Sequence, residues 1–153
     1  MLVEPLIYGV FIDYLVFFFT LVFYALLTVV YLLRVHQSEM EWKLSTIFSL
    51  QLVPFVLLWV VNLVIGNYSG SLVVGLLIIM YLFYDLWYRL ITRKKPYNHP
   101  DRWPIGLIFY LLLLFLGSIG LNWYGYLVSR IYRVILVVSF FIMMSSFGYY
   151  QYR

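Results

Sequence analysis

Two histidines and a nearby carboxylate are the residues best suited to chemistry in water. They are His36, His99 and Asp101, with Glu39 and Glu41 close to the first histidine. Imidazole and carboxylate groups are common ligands of divalent metals. His36, His99 and Asp101 are therefore weak candidates for a metal site. Their spacing matches no metalloprotease, serine-hydrolase, nucleotide-binding or dinucleotide-binding motif. We therefore expect solvated polar residues here, with no catalytic site, no metal and no cofactor.

Charged residues inside long apolar segments form the second group of candidates. An ionisable group near the bilayer centre costs about 2.5–3.5 kcal/mol even on insertion scales, so such groups often mark function. Asp13, Arg130 and Arg133 are predicted at one membrane boundary, as an outer-leaflet ion pair or as contacts to lipid headgroups or other anions. Asp85 and Arg89 have the i, i+4 spacing of an inner-leaflet ion pair. Because none of the five is placed at the midplane, an ion-coupled carrier is disfavoured.

Hydroxyl-bearing side chains recur at helical spacing on two of the apolar segments. The stripe residues are Thr20, Tyr24, Thr28 and Tyr31 on the first, and Tyr81, Tyr84 and Tyr88 on the third. A hydroxyl finds no partner in lipid, so we expect both stripes to face inward and to hold helices together. A substrate path lined by the stripes, or a contact with another subunit, is the alternative. Gly106, Gly117 and Gly120 line up on the fourth segment as a small-residue face for close helix packing.

The composition indicates a membrane as the place where these residues are positioned. Hydrophobic residues make up 65% of the 153 residues and charged residues 10%. Soluble domains contain roughly 45–50% and 25%, respectively. The mean hydropathy is +0.98, which excludes a water-soluble fold. The absence of cysteine from the sequence excludes disulfides and thiolate metal sites.

Five apolar segments are long enough for a membrane-spanning helix of about 20 residues. They cover about 6–33, 43–65, 71–91, 105–121 and 126–149. We therefore predict an all-α, polytopic bundle of five transmembrane helices in one domain, residues 1–153. The predicted connections are the polar stretch 34–42, the turn 66–70, the loop 92–104 and the turn 122–125. Pro54 predicts a kink in the second span, because it lacks a backbone N–H.

The charges in the connections predict the orientation of the bundle. The first and third connections and their edges carry Arg34, Lys43, Arg89, Arg93, Lys94, Lys95 and Arg102, whereas the second and fourth carry no charge. Basic connections stay on the cytoplasmic side. We therefore expect the N-terminus outside and the C-terminus in the cytoplasm or matrix. A prokaryotic plasma membrane is favoured over an organellar inner membrane.

With no catalytic motif and little chain outside the spans, the leading expectation is a supporting role. The chain would be a non-catalytic subunit or an assembly or stabilising component of a larger membrane protein complex. Its partners would be the lipid bilayer and other integral membrane subunits or a second copy, with no nucleic acid. The alternative is a small oligomeric transporter or channel, or a lipid-binding membrane protein. A third possibility is a membrane-embedded lipid-modifying enzyme that uses His36, His99 and Asp101.

Overall fold

The fold is helical throughout the part of the chain that the computed structural model describes, which is residues 4–36, 38–65, 71–92 and 105–152. The helices are α1 (Glu4–His36), α2 (Ser38–Ser49), α3 (Leu52–Ile65), α4 (Ser71–Thr92), α5 (Ile105–Val128) and α6 (Arg130–Tyr152). Apart from Leu50, Gln51 and Ser129, every described residue is helical. The predicted all-α bundle is confirmed.

Most of these helices have the length and composition of membrane spans. Among the described residues, four segments are long and apolar enough to cross a bilayer: Gly9–His36, Glu39–Ile65, Ile108–Tyr126 and Arg130–Tyr150. In α4 the apolar segment Gly75–Trp87 is shorter. The whole of α4 has 22 residues, which at about 1.5 Å per residue matches a hydrocarbon core of about 30 Å. The arrangement is that of a polytopic membrane protein.

The first and last helices run parallel. The ring of Tyr132 on α6 lies 4.0 Å from that of Phe17 on α1, and further along both helices Phe147 lies 5.2 Å from Tyr31. Parallel first and last helices place the start of α1 and the end of α6 at opposite ends of the bundle, as an odd number of crossings requires. We call the end where α1 begins the outer end and the opposite end the inner end, following the orientation that the charges predict.

The second span is broken near its middle. Around Leu50 and Gln51 the backbone bonds join residues three apart, with Gln51 N to Phe48 O at 3.1 Å and Val53 N to Leu50 O at 3.1 Å. Pro54 cannot donate to the Leu50 carbonyl, which is its normal helical acceptor, so the chain tightens for one turn. The predicted kink is confirmed, and it separates α2 from α3.

One predicted connection is wrong. The turn expected at 122–125 is part of α5, and the chain reverses at Ser129 instead. Gly125 serves packing there, since a Cβ atom on it would lie 2.6 Å from Cδ1 of Leu136 on α6. The polar stretch 34–42 contains the end of α1 and the start of α2, on either side of residue 37. In that stretch Arg34 and Glu41 form an ion pair at 3.2 Å.

Aromatic side chains fill the middle of the bundle. The ring of Phe23 on α1 lies 5.2 Å from Phe48, 5.9 Å from Phe55 and 6.1 Å from Tyr81. These four side chains, which we call the aromatic layer, are all buried. Such ring pairs add to the stability that burial alone provides. The layer therefore fastens α1 to α2, α3 and α4.

Candidate functional site: a buried polar network

Polar side chains from four helices meet on the inner side of the aromatic layer, and Tyr81 belongs to both groups. We call them the inner polar network: Tyr31 and Arg34 on α1, Glu41, Ser45 and Ser49 on α2, Tyr81 and Asp85 on α4, and Tyr110 on α5. On α2 and α4 the members are four residues apart, which places them on one face of each helix. The network therefore follows from helical spacing once the helices pack.

An ion pair joins the ends of α1 and α2. The Nε atom of Arg34 donates to Oε1 of Glu41 at 3.2 Å, and the two side chains are 4% and 0% exposed. Ser45 Oγ donates to the same carboxylate oxygen at 3.1 Å. The Arg34 guanidinium also lies 4.9 Å from the ring centre of Tyr31 and 5.7 Å from that of Tyr150. These contacts offset the loss of water that a buried ion pair suffers.

Asp85 joins three helices. Its carboxylate accepts a hydrogen bond from Ser49 Oγ at 2.7 Å and one from the Tyr110 hydroxyl at 3.3 Å. The hydroxyl of Tyr81 lies 2.7 Å from that of Tyr110. Asp85 is fully buried, so these hydroxyls replace part of its hydration. The predicted ion pair with Arg89 stays a prediction, because the side chain of Arg89 lies outside the described side chains.

An open pocket of about 460 Å³ lies at the inner end beside this network. It is lined by Arg34, Val35, His36 and Tyr150. Arg34 therefore lies between the pocket and the Glu41 carboxylate. The pocket and the ion pair therefore share the Arg34 side chain.

The structure supports no metal centre among the residues it describes. No group of three or more His, Asp or Glu side chains in the described ranges could hold a metal ion. His36 is exposed, with its ring 6.5 Å from that of Tyr149. The other two weak metal candidates, His99 and Asp101, lie outside the described residues.

At the outer end, Asp13 meets a tyrosine rather than an arginine. The Tyr124 hydroxyl on α5 donates to its carboxylate. Arg133 lies over the ring of Tyr126 at 4.6 Å, and Arg130, the first residue of α6, is exposed. In the described part of the chain, neither arginine forms an ion pair with Asp13. Their contact with lipid headgroups stays a prediction.

The stripe hydroxyls of α1 use two kinds of partner. Thr20 donates to Val16 O at 2.7 Å and Thr28 to Tyr24 O at 2.8 Å, both within the helix. The Tyr24 hydroxyl reaches across to Ser118 O on α5 at 3.1 Å. Only the tyrosine therefore links this part of the stripe to another helix.

The stripe of α4 packs on α5. Tyr84 is partly buried, with its ring 6.1 Å from that of Tyr110 and 6.2 Å from that of Phe109. Tyr81 belongs to the inner polar network, whereas the side chain of Tyr88 is not among those described. The α4 stripe thus contributes to a helix contact within the chain.

The glycine face of α5 is also used within the chain. Gly117 and Gly120 are buried, and a Cβ atom on Gly117 would lie 2.5 Å from Cδ1 of Ile78 on α4. Gly106 lies in the first turn of α5, where side-chain surroundings are not described. The close approach that the glycines predict is therefore made to α4, and Gly117 is not accessible to a second copy.

Sequence patterns alone do not predict a site at most of the inner polar network. Arg34 and Glu41 lie in the predicted polar connection 34–42, where Glu41 is notable only for being close to His36, and Ser45, Ser49 and Tyr110 are not among the predicted site residues. A signal was present in the i, i+4 spacing of Glu41, Ser45 and Ser49 on the apolar second span. That spacing alone does not identify the partners on α1 and α4.

No protein family, curated protein or solved structure matches this chain.

Proposed function

We propose that the chain is a non-catalytic subunit or stabilising component of a larger membrane protein complex, in the plasma membrane of a prokaryote. The observation that carries the proposal is the bonding within the inner polar network. Arg34 bonds to Glu41, and Asp85 accepts bonds from two hydroxyls. Charged groups used in this way hold helices together and leave little polar surface for reaction.

The packing of the interior supports a structural role over transport. The aromatic layer occupies the level between the inner polar network and the outer end. At the outer end, the cavity among Val16, Leu58, Trp59, Asn62 and their neighbours has a volume of about 30 Å³. An interior filled by side chains at both levels is suited to a protein that supports other helices.

The lateral surface offers the area that such a role requires. Large apolar side chains point outward on several helices, including Val64 (81% exposed), Leu90 (70%) and Ile131 (68%). In a bilayer this surface contacts lipid or the helices of other subunits, through shape and packing rather than charge.

Purification in native lipid tests the proposal. A tagged chain extracted in polymer-bounded lipid discs should carry other integral membrane proteins in fixed stoichiometry, measured by native mass spectrometry. Deleting the chain should lower the amounts of those same proteins in the membrane. A tagged membrane protein of similar size that forms no complex is the control. Recovery as a monomer, with no effect of the deletion on other subunits, would contradict the proposal.

A small transporter is the second candidate, and the broken second span favours it. Breaks near the bilayer middle form substrate sites in many transporters. At this break Gln51 is 7% exposed, and both polar atoms of its amide lack a hydrogen-bond partner among the described residues. Flux of small polar solutes into liposomes containing the chain should then fall when Gln51→Leu is introduced. Liposomes no more permeable than empty ones would rule out transport by the chain alone.

A further inference from the structure

We propose that the open pocket at the inner end binds a phosphate group, carried either by a lipid headgroup or by a soluble phosphate. The pocket is lined by Arg34, Val35, His36 and Tyr150. Arg34 attracts the phosphate oxygens and His36 donates to them. This site goes beyond the proposed structural role and does not depend on it.

The charge that faces the pocket is positive. Arg34 lines the pocket, whereas the Glu41 carboxylate, which Arg34 Nε contacts at 3.2 Å, is fully buried behind it. The ion pair therefore presents its positive end to the pocket, and none of the described residues that line the pocket is acidic. The carboxyl end of α1 contributes about half a negative charge, which is less than the full charge of the guanidinium.

The Arg34 side chain is held in position before any ligand binds. Its Nε atom bonds to Glu41, and its guanidinium lies 4.9 Å from the ring centre of Tyr31 and 5.7 Å from that of Tyr150. A side chain that is already fixed loses little freedom when a ligand binds. The planar guanidinium also matches the geometry of phosphate oxygens better than an ammonium group does.

His36 adds a hydrogen-bond donor to the same pocket. It is the last residue of α1, it is exposed, and it lines the pocket together with Arg34. A neutral imidazole has one N–H donor and a protonated one has two, so His36 can donate to an anion in either state. A pocket with a guanidinium, an imidazole and no carboxylate among its described lining residues favours an anion over a metal or another cation.

The position and the size of the pocket fit a molecule that carries phosphate. Its lining residues lie in the last turn of α1 and in the last turn of α6. The ends of membrane-spanning helices lie at the depth of the lipid headgroups, where both lipid phosphates and phosphates dissolved in water are present. The volume of about 460 Å³ falls within the range of about 300–1,000 Å³ that is usual for small-molecule sites.

Isothermal titration calorimetry of the full chain tests the site and identifies the source of the phosphate. The protein is stripped of lipid in an uncharged detergent and titrated, at one pH and one ionic strength, with inorganic phosphate and with dihexanoyl phosphatidylglycerol. At least one probe should bind saturably. Tighter binding of the lipid assigns the site to a headgroup, and equal or tighter binding of inorganic phosphate assigns it to a soluble phosphate. If neither probe binds saturably, the proposal is overturned.

Substitutions in the pocket separate it from other basic surfaces of the chain. His36→Leu should weaken the binding of the probe by about tenfold, because one charge-assisted hydrogen bond is lost. Arg34→Lys, which keeps the charge but loses the planar group, should also weaken binding. Lys43→Gln is the matched control, because Lys43 is exposed near the inner end and does not line the pocket. Its effect should stay within about twofold, since a separate exposed charge is largely screened. Equal affinities of His36→Leu and Lys43→Gln would contradict the site.

The histidine NMR spectrum shows where the probe binds, even if Arg34→Lys fails to fold. The sequence contains two histidines, so a protein labelled with ¹³C-histidine gives two ring signals, and the signal that disappears in His36→Leu belongs to His36. In the wild type, the His36 signal should move during the titration and should saturate together with the heat of binding. A His36 signal that is unchanged at saturation would place the ligand elsewhere and overturn the proposal. Neither measurement involves another subunit, so the result is independent of the proposed structural role.

Discussion

Burial makes Arg34 and Glu41 dependent on each other. Neither side chain has enough contact with water to be solvated alone, since they are 4% and 0% exposed. Removing one partner leaves the other charge without compensation, which typically costs 3–5 kcal/mol. The same would not hold for an ion pair on an exposed surface, which is worth about 0–1 kcal/mol.

We therefore predict that Glu41→Gln lowers the free energy of unfolding by about 3–5 kcal/mol. Chemical unfolding in one detergent, followed by tryptophan fluorescence, measures the change. Glu39→Gln is the matched control, because Glu39 lies on the same helix but is exposed, and its effect should be within about 0.5 kcal/mol. Equal effects of the two substitutions would show that the pair is not buried as described.

Arg130 and Arg133 at the outer end differ from the buried Arg34–Glu41 pair because both arginines are exposed. Both lie in the first turn of α6, where the helix dipole favours anions over cations. Arg133 is placed over an aromatic ring at 4.6 Å, and its guanidinium can still reach lipid phosphates at the boundary.

Arg133→Leu should therefore reduce the anionic lipid that co-purifies with the protein, measured by mass spectrometry of the extracted lipids. Arg133→Lys, which keeps the charge, should retain most of it. If the amount of co-purifying anionic lipid is unchanged in Arg133→Leu, Arg133 does not bind lipid headgroups and only packs against Tyr126.

At the scale of elements, α4 packs closely against α5. Gly117 allows it, because a Cβ atom there would lie 2.5 Å from Cδ1 of Ile78 and 3.4 Å from its backbone nitrogen. Ile78 is fully buried, so its side chain has little room to move aside. Both helices contribute to the inner polar network, so their spacing also affects the Asp85–Tyr110 bond.

Gly117→Ala is expected to destabilise the protein by about 1–3 kcal/mol, the usual cost of overpacking. Gly148→Ala is the matched control, since nothing lies within 4 Å of a Cβ atom at that position. Gly148→Ala should cause no loss of stability. Thermal unfolding of both variants and of Gly117→Ala/Ile78→Val gives the comparison, and the double variant should recover part of the loss. No difference between the two alanine variants would contradict the close α4–α5 contact.

At the scale of the whole molecule, the parallel arrangement of α1 and α6 determines how the connections are distributed. The α1–α2 connection lies at the inner end and the α5–α6 reversal at the outer end. The basic residues of the first and third connections predict that the inner end faces the cytoplasm.

Single-cysteine labelling tests this topology directly, because the chain contains no native cysteine. In sealed right-side-out vesicles, a membrane-impermeant maleimide should label Ser129→Cys and should label Glu39→Cys only after the vesicles are opened. Labelling of both positions from the same side would contradict the parallel α1–α6 pair. The reverse pattern would keep the fold and invert the orientation.

The sequence by itself determined the helical fold, the presence of several apolar segments long enough to span a bilayer, and the break in the second span near Pro54. These properties depend on the length and hydrophobicity of continuous segments and on one missing N–H, all of which are local. The position of Asp85 in an apolar segment also makes it a candidate functional residue from the sequence alone. A charged residue in an apolar span is unusual whatever surrounds it.

Only the tertiary structure decided which residues act together. Glu41 looks solvated in the sequence because its neighbours are polar, but its partner Arg34 reaches it across the α1–α2 connection. Asn122 and Gly125 suggest a turn, whereas in the structure Asn122 accepts a hydrogen bond from Tyr24 and Gly125 leaves room for the Leu136 side chain. Such roles depend on the face that packing turns toward another helix, and residues far apart in sequence determine that face.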